Sequence, residues 1–197
     1  MSQEGFVPFA ITAKTIGKPK FLYTKILVVN LDCDDKIAAA YVNALWDTGA
    51  ASSVMTRALA ERLGFRFDKE IPSQGITGEE MSKYGYAYVS MVANGGIIEA
   101  ITGVVEKLPR DDYSFIIGMD VIGRGNFAIS SDGFSTTLSF TVPGITTVDF
   151  AKTAAEEGKI PSYAELNPGP EDRKTFHGLE ALRMISMKIG PENKFPQ

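Results

Sequence analysis

Much of the first 144 residues reads as short apolar runs, with an alternating segment from Tyr84 to Met91, punctuated by Gly, Asn and Asp. Period-two alternation places one side of a strand against a core and the other toward water. Residues 25–31 are rich in β-branched and apolar types, 32–35 form an acidic turn, and 37–46 run back apolar. That predicts a hairpin whose second arm delivers Asp47 to a turn. An earlier strand is expected within 6–13. Residues 84–91 and 97–105 flank a tip of Asn94, Gly95 and Gly96, which is a second hairpin pattern. The apolar run 115–118 and the short segment 119–123 follow, and 126–130 and 136–142 are expected as closing strands. One helix stands out at 57–63, with Thr56 as its cap and Gly64 as its stop. Ala58, Leu59, Leu63 and Val54 are expected on its core side, and Arg57, Glu61 and Arg62 in water.

After Pro143 and Gly144 the pattern turns helical, at 148–157 and again at 171–189, with a Pro/Gly-rich stretch between. Phe176, Leu179, Leu182, Ile185 and Ile189 recur at helix-face spacing. We therefore expect a domain at 1–144 and a helical C-terminal extension at 145–197, which docks on the body or on a partner. At 197 residues the chain is long enough to bury a proper core.

Composition removes several classes of function. A net charge of −4 argues against nucleic acid as the main partner, because phosphate binding needs a basic surface. Glu4 and the absence of a basic start argue against a secretory signal. No uncharged stretch exceeds 16 residues, and the apolar one at 84–98 is interrupted by Gly and Asn, so no membrane span is expected. Cys33 is the only cysteine, which suits a reducing, cytoplasmic setting. His177 is the only histidine, and no Cys/His cluster suggests a metal site or a cofactor.

The candidate chemistry is concentrated in Asp47, Thr48 and Gly49, set behind the apolar Ala44, Leu45 and Trp46 and followed by Ala50. Burial at a strand end disfavours a charged carboxylate, so the position suggests one kept for chemistry. The plainer alternative is an ordinary strand-end turn residue. Gly75, Ile76, Thr77 and Gly78 form a glycine-bracketed turn, either a mobile tip or a plain hairpin turn. Asp120, close behind Ile116, Ile117 and Gly118, is expected to hydrogen-bond structurally.

In this order, Asp47-Thr48-Gly49-Ala50, the short helix, the 75–78 turn and Ile116-Ile117-Gly118-Met119-Asp120 resemble the retropepsin-like aspartic proteases. The resemblance runs from about residue 25 to 142. It implies a mainly β fold, a closed barrel of the acid-protease type with one short helix, here followed by the helical extension. It also implies an aspartic endopeptidase acting on peptides or proteins as a homodimer, with no cofactor and no metal. Asp47 of each subunit would supply one carboxylate of a shared pair, with Thr48, Gly49 and Ala50 forming its loop. Gly75, Ile76, Thr77 and Gly78 would be a flap over the substrate, and Ile116, Ile117 and Gly118 a motif threading beside Asp47. Ile76, Val104 and Ile117 would line the cleft and favour apolar residues around the cut. Trp46 is bulkier than the aliphatic residue usual before the catalytic Asp, and Ala51, Ser52 and Ser53 replace the further acidic residues of many retroviral members. Two alternatives stay open: a dimeric module of the same fold that binds peptide without cutting it, and an enzyme kept latent by its C-terminal helices.

Overall fold

The computed structural model describes residues 8–31, 37–67, 69–75, 78–92, 96–147 and 149–159. The expected turns around Cys33 and at 94–95, the tip residues Ile76 and Thr77, and the second helical segment with His177 lie outside them. By internal contacts the chain divides into two compact units, Met1–Val148 and Asp149–Gln197.

The first unit is mainly β. Strand β1 (Phe9–Ile16) leads to β2 (Tyr23–Asn30) and β3 (Ala38–Trp46), which pair antiparallel as the expected hairpin. Then come β4 (Ser53–Thr56), helix α1 (Arg57–Arg62), β5 (Lys69–Gly75), β6 (Gly78–Ser90) and β7 (Ile97–Val105). The unit ends with β8 (Phe115–Ile117), helix α2 (Met119–Ile122), β9 (Asn126–Ser131) and β10 (Ser135–Val142). The larger sheet runs β2-β3-β8-β4-β7-β6-β5, and a further β2–β6 pairing closes its first six strands into a barrel. Closure removes the free edges of those strands. Strand β5 hangs outside the ring on β6. The smaller sheet is β1-β10-β9, antiparallel throughout.

Both sheets feed one core. Leu138, Phe140 and Val142 of β10 alternate inward and join Ile26, Val28, Met55, Phe115 and Ile117 from the barrel. Trp46 clamps the two sheets together. Its ring stacks on Phe127 of β9 at 5.3 Å, meets Phe140 edge-on at 5.1 Å, and its Nε1 donates to Thr24 Oγ1 at 2.8 Å. Replacing a buried aromatic of this size leaves a cavity as well as lost burial. Trp46→Ala is therefore expected to cost about 3–5 kcal/mol of stability, read from urea unfolding, and Trp46→Phe much less.

Several expectations need correction. Ala58 is exposed, whereas Ala60 is buried with Leu59 and Leu63. With the helix starting after its Thr56 cap, 100° per residue puts 59, 60 and 63 on one stripe and 58 off it. Gly64 does stop the helix, in the left-handed conformation at φ 67°. A second short helix, α2, occupies 119–122 where only a short segment was anticipated. Strands β4 and β5 had no anticipated counterpart. In the second unit, α3 (Phe150–Glu156) is capped by Asp149, whose side chain accepts from the Lys152 amide at 2.9 Å. Among the described residues no helix is long and apolar enough to cross a membrane.

Candidate active site

Asp47 is placed by strand pairing. Strand β3 runs parallel to β8, with Trp46 opposite Ile117, and the Asp47 amide continues the ladder by donating to the Ile117 carbonyl at 3.0 Å. Strand β8 pairs antiparallel with β4 on its other side, so it lies between the strand entering the Asp47 loop and the one leaving it. The loop is a tight turn. The Ala50 amide donates to the Asp47 carbonyl at 3.3 Å, and the Gly49 amide donates to Asp47 Oδ1 at 2.8 Å. A Cβ at Gly49 would come within 3.1 Å of that carboxylate oxygen. The amide thus takes one lone pair of Oδ1 and fixes the carboxylate's direction. Asp47 is half-buried, while Thr48 and Gly49 are exposed, so the turn is more open than a strand-end carboxylate suggests. The Thr48 hydroxyl has no hydrogen-bond partner among the described residues.

The threading segment passes under this loop. The Met119 amide donates to the Ala50 carbonyl at 2.8 Å. The Gly118 amide donates to Ser53 Oγ at 3.2 Å, Ser53 Oγ donates to Asp120 Oδ1 at 2.9 Å, and the Ile101 amide donates to Asp120 Oδ2 at 2.8 Å. Sequence reasoning gave Asp120 a structural role but could not supply its partners, because Ser53 and Ile101 lie far from it in the chain. Asp120 ties α2, β4 and β7 together beneath the Asp47 turn.

Burial pushes the Asp120 carboxyl above its ordinary 3.8, against the hydrogen bonds from Ser53 and Ile101 that favour the charged form. A raised folded-state value means stability that is fully present below 3.8 and lost as pH rises through the raised value. Asp120→Asn carries no charge at any pH, so its stability relative to wild type is expected to improve from pH 4 to pH 7 in urea unfolding. Asp120→Ala removes both acceptors and is expected to cost about 1–3 kcal/mol at either pH, because the Ile101 amide loses its partner.

The β5–β6 hairpin closes on the Gly75–Gly78 pair, so the glycines that bracket the expected flap stand opposite each other at its tip. Ile117 is fully buried in the core, so its side chain does not line an open cleft, contrary to expectation. Val104 lines a different cavity, of about 480 Å³, together with Arg57, Glu61 and Phe67. That cavity is roomier than the one at Asp47 but lacks the Asp47 turn, so its size does not make it the site.

The cavity that does include Asp47 measures about 280 Å³ and is walled by Pro19, Lys20, Phe21, Leu22, Leu45 and Trp46. Phe21 rests against Tyr23 at 6.1 Å, and Tyr23 against Tyr113 at 5.5 Å. The Arg110 guanidinium lies 5.4 Å from the centre of the Phe21 ring. Burial pushes both phenols up, and the Asp47 charge adds a minor part at Tyr113. The Arg110 hydrogen bonds hold the Asp112 carboxyl below its ordinary range. The loop carrying both is tied to β3 by Asn43 Nδ2, which donates to the Asp112 carbonyl at 3.0 Å. Among the described residues, no group of three or more His, Cys, Asp or Glu could hold a metal ion.

Comparison with known proteins gives a consistent set of likenesses. Residues 34–124 match the family described as "gag-polyprotein putative aspartyl protease". Among solved structures, a retropepsin-like aspartic protease from Rickettsia conorii is similar at 20% identity and a TM-score of 0.43, over 72% of this chain and 99% of that one. The retroviral protease-like domain of Ddi1 from Leishmania major is similar at 20% identity and a TM-score of 0.38, over 60% and 94%. The EIAV protease, complexed with the inhibitor HBY-793, is similar at 23% identity and a TM-score of 0.37, over 53% and 86%. No curated protein matches the chain.

Proposed function

We propose that this chain, whose residues 34–124 match the gag-polyprotein putative aspartyl protease family, is an aspartic endopeptidase whose catalytic pair is Asp47 from two copies of the chain. The observation that carries this reading is the Asp47 turn itself. It presents a half-buried, amide-oriented carboxylate, and the structural carboxylate nearby, Asp120, has both oxygens engaged by Ser53 and Ile101. A single carboxylate cannot be both the base that activates water and the acid that polarises the scissile carbonyl. Two at close range share one proton, because like charges there resist joint ionisation. The ionised member takes a proton from the attacking water while the protonated member hydrogen-bonds the carbonyl oxygen. A two-fold axis through the pair brings one turn from each subunit together. The exposed Thr48 hydroxyl is then available to bond across that axis.

In this reading an extended peptide lies between the Asp47 turns and the β5–β6 hairpins, which close over it and exclude water. The protease domain is residues 1–144, and 145–197 form an extension. The chemistry requires neither metal nor cofactor.

The test is turnover of a mixed peptide library at acidic pH, with and without a statine-type inhibitor, across a dilution series. Inhibitor-sensitive cleavage whose specific activity falls on dilution supports the reading, since the site is lost when the dimer dissociates. Peptide binding without cleavage would instead make the chain a binding module of the same fold. Undiminished activity in a chain that sediments as a monomer would overturn the two-chain site.

A further inference from the structure

We infer that Lys20 makes the cavity beside Asp47 a subsite for an acidic substrate side chain, glutamate above all, close to the scissile bond. This rests on the endopeptidase reading above and adds a substrate class to it.

The walls of this cavity are apolar and firmly held. Leu45 and Trp46 are buried at the end of β3, and Phe21 is braced between the Tyr23 ring and the Arg110 guanidinium. Among the lining residues the only charges are Lys20 and Asp47. Lys20 is exposed and has no ion-pair partner among the described residues. Arg110, the cation next to Phe21, is already bound to Asp112 at 2.9 Å. Lys20 is therefore the positive charge free to meet a substrate group, and its flexible stem lets the ammonium reach over the mouth of the cavity.

A volume of about 280 Å³ takes a full side chain. Methylenes packed on Phe21 and Leu45 with a carboxylate at their end match a wall that is apolar below and cationic at one side. Chain length matters as well. Asp47 shares this cavity, and its charge repels a second carboxylate. The extra methylene of glutamate carries its charge farther from the backbone, and so from Asp47, than aspartate can. A basic side chain meets Lys20 instead, while the Asp47 carboxylate is committed to its mate and to the water.

The experiment places Glu, Gln, Asp and Lys in turn at each of the three positions on either side of the scissile bond of a cleaved peptide. The quantity read is the ratio of kcat/KM for Glu over Gln within one protein variant, so any effect of Lys20 on the Asp47 pair cancels. At pH 5.5 and low salt the ratio is expected to reach about fivefold at one position, the scale of a partly exposed ion pair. It should fall toward unity near pH 3.5, where glutamate with its usual pKa of about 4.3 is protonated, and in about 0.5 M salt. Lys20→Met should bring the ratio to unity at pH 5.5, and Lys20→Glu should shift the preference to Lys. A wild-type ratio of unity at every position, or one that survives Lys20→Met, overturns the subsite while leaving proteolysis standing.

Failure of the wild type to cleave any peptide overturns proteolysis instead. The subsite is then judged by anisotropy of fluorescein-labelled Glu and Gln peptides on the Asp47→Asn protein. Tighter binding of the Glu peptide, lost on adding Lys20→Met, supports it, and equal binding of the two rejects it.

Discussion

Asp47→Asn is expected to reduce peptide cleavage by about a thousandfold or more while leaving the fold and the dimer intact. The amide is nearly isosteric with the carboxylate, and its oxygen can still accept the Gly49 amide that now binds Asp47 Oδ1 at 2.8 Å. What it cannot do is hold a negative charge or share a proton with its mate. Unchanged circular dichroism and an unchanged unfolding midpoint would show that the turn survives. The mixing behaviour is more telling. If both carboxylates of a dimer are required, an equal mixture of wild-type and Asp47→Asn chains, allowed to exchange subunits, retains about a quarter of the activity. A site complete within one chain would retain half. Full activity in the variant alone would remove Asp47 from the chemistry altogether.

Gly118→Ala is expected to be the most damaging conservative change near the site, at about 2–4 kcal/mol. A Cβ on Gly118 would stand 2.5 Å from both the carbonyl carbon and oxygen of Ser52, and 2.9 Å from the Ser53 nitrogen. These are backbone atoms of the loop that leaves Asp47, so no side-chain rotation relieves the overlap. The strands must part at their crossing. That separation would loosen the Gly118 amide from Ser53 Oγ and strain the Met119 to Ala50 bond that supports the Asp47 turn. Activity should therefore fall together with the urea midpoint. Gly133→Ala is the control. Gly133 has φ 88° in the β9–β10 turn with open space around its missing Cβ. Its cost should be near 1 kcal/mol, from backbone conformation alone, with peptide cleavage unchanged. Equal effects from the two variants would argue that Gly118 is not a steric crossing point.

The contrast between these glycines shows where linear reading stops. Gly118 stood out in the sequence because it follows Ile116 and Ile117, yet its need for the absent Cβ comes from Ser52, which lies far from it in the chain. Strand β7 was legible at its true bounds because a run rich in β-branched residues follows directly on the Asn94, Gly95 and Gly96 turn signal, both carried by neighbouring residues. Strand β3 was legible from its apolar run back from the acidic turn at 32–35. Strand β4 has four residues and helix α2 likewise, which is too short for either period to emerge. Strand β5 carries Pro72 and follows no clear alternation, and it is held in place by its register with β6. Ala58 and Ala60 were exchanged because a small shift in the assumed stripe moves one alanine off a narrow apolar face.

The sequence by itself determined the mainly β class, the hairpins, the capped helix α1 and an acidic turn with Thr48 and Gly49 behind an apolar strand. All of these depend on residues close together in the chain, where side-chain period and turn chemistry act directly. Only the tertiary structure decided that β2 bonds to β6 and closes the barrel, that Ile117 turns into the core, and that Asp120 binds Ser53 and Ile101. It also decided that Lys20 and Asp47 border one cavity. These relations join residues distant in the chain, and they arise because packing one core leaves few ways to satisfy every buried backbone and side-chain polar group at once.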